Sequence, residues 1–286
     1  MHGPRVLVDS LAVATVKDEY RNTWQYFPQS DRHSKLACWG VMFDLLTNCA
    51  LLRQHIEQGK VGFGINHEMR DFRSGKKKDL DLVICTPGSG ELPSGKKGPR
   101  EFRDLMKDYG VVLDTAATEE LARLPELRRV PVGTVHLALE AKACMTAHVR
   151  ALPRLYDELN STHQTIHGSS NHAIAAGLAV INMAVTFISP PRNRFNLRRK
   201  AARVSKHTQP HATLRAIDKM KEIPRRHHHG VDGFDAMGIL VLNMTNDGGP
   251  VEIVTTSPAP APSEVIHYDQ MVRRIQSLYE SRFSSI

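Results

Sequence analysis

Glu140, Ala141 and Lys142 close the apolar run Val135-His136-Leu137-Ala138-Leu139. A carboxylate and an ammonium two residues apart on a strand point to one face. Upstream, Asp81 lies in a second strand-like run, Asp79-Leu80-Asp81-Leu82-Val83-Ile84. On neighbouring strands these groups form a cup for a divalent cation and an attacking water, the requirements of metal-assisted phosphodiester hydrolysis. Asp81 and Glu140 offer hard oxygen ligands that suit Mg²⁺ or Mn²⁺ rather than zinc, with the Ala141 carbonyl as a third. Lys142 would stand beside the water or the scissile phosphate. Asp79, two residues earlier on the same face, competes with Asp81 for the metal role. If the intervening turn centres on Ser74-Gly75, Glu68 falls opposite Asp81 and completes a three-carboxylate site. A one-residue slip instead turns Glu68 outward, towards Arg70 or Arg73. The apolar continuation Ala143-Cys144-Met145 sets the dyad inside a packed region, where charge without a purpose is costly.

The elements that must position these groups follow from periodicity. Apolar residues from Leu36 to Leu52 recur at helical spacing, predicting a helix over 34–58 that stops at Gly59. Strands are expected at 61–70, 79–85 and 133–141, a helix at 145–159, a polar stretch at 160–171, a short helix at 173–177 and a strand at 178–188. Between the second and third strands, residues 86–132 read as an insertion: a Gly-, Pro- and Lys-rich loop at 86–98, then short helices at 99–109 and 118–124. Asp114 before Glu119-Glu120 reads as a helix cap, although Val111-Val112-Leu113 ahead of it also allows a metal role. Further on come a helix at 211–221, a hairpin of 238–244 and 251–256 around Asn246-Asp247-Gly248-Gly249, and a closing helix at 263–283. The division implied is a core over 1–190 and a C-terminal part over 191–286 packed on it.

Composition sets the partner class. The 286 residues carry a formal charge of +8 and a pI near 9.4, which suits an anionic partner such as nucleic acid. Seven cations (Arg192, Arg194, Arg198, Arg199, Lys200, Arg203 and Lys206) follow one another without an acid, as a DNA-backbone clamp or a solvated helix face. His136, His148, His163, His167 and His172 are candidate bases, and His227-His228-His229 reads as a polar, phosphate-contacting loop. Cys38, Cys49, Cys85 and Cys144 lack metal-ligand spacing and fit reduced thiols in a cytoplasmic protein. No apolar core of signal-peptide length follows Met1, and the run 173–189 is too interrupted to span a membrane.

The order helix, strand, strand, strand, helix, strand resembles the common core of the PD-(D/E)XK nuclease superfamily, the restriction-endonuclease-like fold, over about 34–190. That resemblance implies an α/β fold with a mixed central sheet flanked by helices, and catalytic metal held by Asp81 and the Glu140-x-Lys142 dyad. It also implies a Mg²⁺- or Mn²⁺-dependent endonuclease acting on double-stranded DNA, of the restriction or anti-phage kind. RNA, DNA ends and branched DNA are alternative substrates, and a non-cleaving nucleic-acid-binding module is the alternative to an enzyme. Cutting both strands favours a homodimer. The 59 residues from Asp81 to Glu140 exceed the separation usual in that superfamily.

Overall fold

The computed structural model describes residues 1–90, 101–228 and 230–286. Parts of the loop expected at 86–98 and of the helix expected at 99–109 lie outside the described residues, as does His229.

Helix α1 (Gly3–Ala12) leads through the paired strands β1 (Val16–Lys17) and β2 (Thr23–Trp24) to α2 (Arg32–Asn48) and α3 (Ala50–Glu57). The hairpin β3 (Gly62–Arg70) and β4 (Lys77–Pro87) follows, then α4 (Leu105–Tyr109) and α5 (Thr115–Arg123). Next come β5 (Val132–Cys144), α6 (His148–Ser169), β6 (Ile174–Asn182) and the small pair β7 (Thr186–Ile188) and β8 (Val204–Lys206). The chain ends with α7 (His211–Lys221), β9 (Ala236–Asn243), β10 (Glu252–Ile253) and α8 (Tyr268–Arg282).

Six strands form one mixed sheet in the order β10-β9-β6-β5-β4-β3. The β3, β4 and β5 neighbours run antiparallel, β5, β6 and β9 run parallel, and β10 returns antiparallel. One face carries Leu82, Ile84, Leu137, Leu139 and Leu178 against α2 and α8. The other carries Val83, Ala138, Ala175 and Ala179 against α6 and α7. The result is a three-layer α/β arrangement. The order α2, β3, β4, β5, α6, β6 runs through its centre. Among the described residues, no single helix is long and apolar enough to cross a membrane.

The C-terminal third is more central than a part packed on a finished core. Strand β9 pairs along β6 from Ala176↔Ala236 to Asn182↔Leu242, so the sheet has no boundary at 190. The run 173–177, expected as helix, is strand, because β6 is buried on both faces and its small residues leave no period to read. Gly177 is needed there: a Cβ would lie 3.0 Å from the Phe234 ring. The polar stretch 160–171 continues α6 to Ser169, its hydroxyls answered by Lys78 of β4, whose ammonium donates to Ser161 and Thr162 at 2.8 Å.

The helix expected over 34–58 breaks at Cys49, where α2 and α3 bend by 92°. Arg53 reaches back to the last carbonyls of α2, Leu46 O at 2.8 Å and Thr47 O at 2.7 Å, and so satisfies the end the break exposes. Helix α1, unread in the sequence, crosses α2 closely enough that a Cβ on Gly40 would lie 2.9 Å from Gly3 Cα. Buried Asp44 of α2 accepts the first amides of α1, from His2 at 2.6 Å and Gly3 at 2.9 Å.

Candidate functional site

Strand β4 runs alongside β5 only as far as Leu82↔Leu139. One step further the antiparallel register sets Asp81 opposite Glu140, across the point where the strands part. The side chain of Asp81 fills the gap, accepting from Ala141 N at 3.1 Å with one oxygen and from Ser34 Oγ of α2 at 3.0 Å with the other. The 59-residue separation is therefore no obstacle. The segment between β4 and β5 leaves and returns at the far end of the pair, where Phe102 of that segment stacks on Trp39 of α2 at 4.8 Å. Long excursions of this kind cost little extra closure entropy.

Lys142 lies two residues beyond Glu140 on the same face, its Nζ 2.7 Å from Glu140 Oε1 and 3.9 Å from Glu158 Oε2 of α6. Asp81 and Lys142 line a cleft of about 560 Å³ between the start of α2, the end of β5 and the first half of α6. Its walls add His33, Ser34, Arg150 and Arg154. Glu140 sits behind Lys142, only 3% exposed, and its Oε2 has no hydrogen-bond partner.

The electrostatics follow from this burial. Desolvation, then the nearby charge of Asp81, pushes the Glu140 carboxyl up to about 7, against the opposing pull of Lys142 and Lys78. Asp81 is also raised by burial, with the Ala141 amide and Lys142 acting against the rise. Burial lowers the affinity of Lys142 for its proton, but Glu140 outweighs it and the ammonium ends above its ordinary value. Burial and then Lys142 hold His33 down at about 4, so the ring is neutral. Two carboxylates, Asp81 at the cleft and Glu140 behind it, are thus both held towards their protonated form, mainly by burial.

Asp81, Glu140 and Lys142 are brought together; Glu68 and Asp79 are not part of that group. The turn between β3 and β4 spans 71–76 rather than centring on Ser74-Gly75, so Glu68 pairs in register with Asp79, not Asp81. Both are exposed, and Glu68 is held by Lys77 at 2.7 Å. In this register Glu68 does not join Asp81 and Glu140 in a three-carboxylate group. Asp114 caps α5, accepting from Ala117 N at 2.8 Å. Ser34, Glu158, Lys78, Arg150 and Arg154 were not singled out in the sequence. Of these only Arg154 and Glu158 carried a signal, an i,i+4 pair at 2.6 Å.

The candidate basic histidines are structural where their contacts are seen. His136 packs on Phe283 with both ring nitrogens unpartnered. His148 Nε2 donates to Asn182 O at 2.8 Å, and His163 Nε2 lies 2.9 Å from Asn160 Oδ1. His167 joins a buried cluster at the opposite end of the sheet, where Asp235 lies between Arg226 at 3.1 Å and Arg282 at 2.5 Å. The basic run forms no α-helix: it begins in a single 3-10 turn, Pro190–Arg192, continues as a loop held by buried Asn193 on Arg203 and Ser189, and ends in strand β8. Its Arg192, Arg194, Arg198, Arg199, Lys200, Arg203 and Lys206 are all exposed. Lys200 and Arg203 lie over the Phe195 ring at 5.0 and 5.8 Å. No family model, no curated protein and no solved structure matches this chain.

Proposed function

We propose that this chain is a divalent-cation-dependent nuclease of the PD-(D/E)XK kind, with Asp81, Glu140 and Lys142 as its catalytic residues and double-stranded DNA as its substrate. The observation that carries the reading is the buried, unpartnered Oε2 of Glu140, on a carboxylate opposite Asp81 and two residues from a half-buried lysine. Nothing in a purely structural role calls for two raised carboxylates side by side. The donor set fits Mg²⁺ or Mn²⁺, which commonly bind one or two carboxylates and complete their shells with water and substrate phosphate. Such an ion would polarise the phosphoryl oxygen and make a water nucleophilic near neutral pH. Asp81 is held in place for this by Ser34 and Ala141.

Lys142 has two positions to serve. In the closed pair it neutralises Glu140; turned into the cleft it would meet the scissile phosphate, with Glu158 as an alternative partner at 3.9 Å. Exposed cations on α6 and along 192–206 supply non-specific attraction for the phosphate backbone. Cleavage of both strands favours a homodimer, and a restriction or anti-phage role follows from the superfamily resemblance. The deciding experiment is plasmid cleavage with Mg²⁺ and with chelator, for wild type, Glu140→Ala and Lys142→Ala, alongside linear, single-stranded and RNA substrates. Wild type should cut only with the cation, and both variants should bind without cutting. Cutting by either variant refutes this site; binding without any cutting by wild type makes the chain a binding module.

A further inference from the structure

Beside the cleft, across the first turn of α6, lies a second cavity of about 430 Å³. Its walls are Ala147 and the first turn of α6, Lys206 at the end of β8 with His207 and Thr208, and His211, Ala212 and Arg215 at the start of α7. Arg150, Lys206 and Arg215 are exposed and point the charge balance one way, since no Asp or Glu lines the cavity. None of the three has a salt-bridge partner among the described residues, whereas Arg154 one turn on is held by Glu158 at 2.6 Å. The helices α6 and α7 both start at this cavity; the start of α6 carries no side-chain cap, while in α7 the Gln209 side chain accepts from Thr213 N at 3.2 Å.

The walls are fixed from behind. His148 donates to Asn182 O at 2.8 Å; His207 donates through Nδ1 to Ala184 O at 2.8 Å and meets Thr146 Oγ1 at 3.0 Å through Nε2. The two rings pack edge to face at 4.9 Å. Buried Asn182 ties the ends of β5 and β9 together through Met145 O at 3.0 Å and Met244 O at 2.8 Å. Three unpaired cations thus stand on a rigid frame at the sheet end that carries Lys142, and Arg150 lines both cavities.

We infer that this cavity is a phosphate pocket, taking a phosphate of the bound nucleic-acid strand next along from the one at the cleft, and so setting the position of the cut. The inference rests on the nuclease reading for the identity of the neighbouring site, but its binding test does not need cleavage. In chelator, duplex affinity is followed by fluorescence anisotropy across a salt series for wild type, the double variant Lys206→Ala/Arg215→Ala, and a control with the same loss of charge, Arg273→Ala/Arg274→Ala on α8.

The pocket variant should bind about tenfold more weakly, with a log–log salt slope shallower by about 1 to 2, roughly one for each phosphate no longer held. The control should bind as wild type does, and Lys206→Arg should retain affinity. Inorganic phosphate should compete with duplex for wild type more strongly than for the pocket variant. Equal affinity and slope for pocket variant and wild type, or an equal loss in the control, overturns the pocket. If wild type binds through the pocket yet cuts nothing with Mg²⁺, the pocket stands and the nuclease reading fails. If it cuts, the pocket variant should also scatter the positions of its cuts.

Discussion

Replacing Glu140 by Gln should stabilise the metal-free protein above pH 7, the opposite of what removing a buried ion pair usually does. The folded environment favours the protonated acid, raising its pKa from 4.5 to about 7 through burial first and Asp81 second. Each tenfold change in proton affinity is worth about 1.4 kcal/mol. Because the folded value lies above the unfolded one, wild type loses stability as pH rises from about 4.5, and the loss is complete above about 7. It amounts to roughly 3 kcal/mol at most. Gln does not ionise, so the variant escapes this loss.

The gain is reduced because Lys142 would keep only Glu158, 3.9 Å away, in place of a partner at 2.7 Å. A net gain of about 1–3 kcal/mol remains, and each kcal/mol moves the melting point by roughly 2–4 °C for a chain of this size class. Urea and thermal unfolding of both proteins in chelator, from pH 5 to 8, measure it: the curves should lie close at pH 5 and separate as pH rises. Adding Mg²⁺ should narrow the gap at pH 8 by stabilising wild type more than the variant. A variant less stable than wild type at pH 8 in chelator, or equal stabilisation of both by Mg²⁺, would show that Glu140 is an ordinary ion-pair partner.

The opposite change, Lys142→Ala, leaves Glu140 and Asp81 buried without their cation and should cost roughly 3 kcal/mol at pH 8 in urea titrations, less at pH 5 where Glu140 is protonated. Asp235→Asn removes the carboxylate between buried Arg226 and Arg282 and should lower stability by about 3–5 kcal/mol, while the salt slope of nucleic-acid binding stays unchanged. Glu68→Gln and Asp79→Asn alter only exposed side chains, so the unfolding free energy should change by less than about 0.5 kcal/mol and plasmid cleavage should persist.

What was legible in the sequence is what local pattern encodes. The strands β3, β4 and β5 are apolar or alternating runs bounded by Gly and Ser, and the dyad's place at the end of one of them is visible in the letters alone. Asp114 was readable as a cap because capping is settled within four residues. Register was not readable. The turn over 71–76 is centred between Arg73 and Ser74, one residue earlier than expected, which moves the partner of Glu68 from Asp81 to Asp79; Asp71 shapes that turn by holding Ser74 and Arg73 N. The small-residue strand β6 and the polar end of α6 escaped for a shared reason: their identity comes from neighbours, Phe234 over Gly177 and Lys78 over Ser161 and Thr162. Helix α1 went unread although Pro4 in its first turn and Val6, Leu7 and Leu11 on one face are local signals; the cap that anchors its start is Asp44, forty-one residues beyond Gly3.

The sheet assigns its two ends different kinds of charge. At the amino ends of β6 and β9, Asp235 is fully answered: Ala175 N donates to it at 2.9 Å and two arginines flank it. At the carboxyl ends of β5, β6 and β9 the balance is left open, with Glu140 Oε2 unpartnered and Arg150, Lys206 and Arg215 unpaired among the described residues. Parallel strands direct side chains and following loops to their carboxyl ends, which is where open α/β sheets hold ligands. Asn182 ties this end together, its buried side chain joining the segments after β5 and β9 to β6. Buried polar groups are not all met at either end, since Arg282 Nη1 beside Asp235 also has no hydrogen-bond partner; what sets the carboxyl end apart is an unpartnered carboxylate oxygen with cations around it. On the proposed reading, Asp81 at the cleft, Glu140 behind it and the cations around it are the groups that would meet a metal ion and the phosphates it acts on.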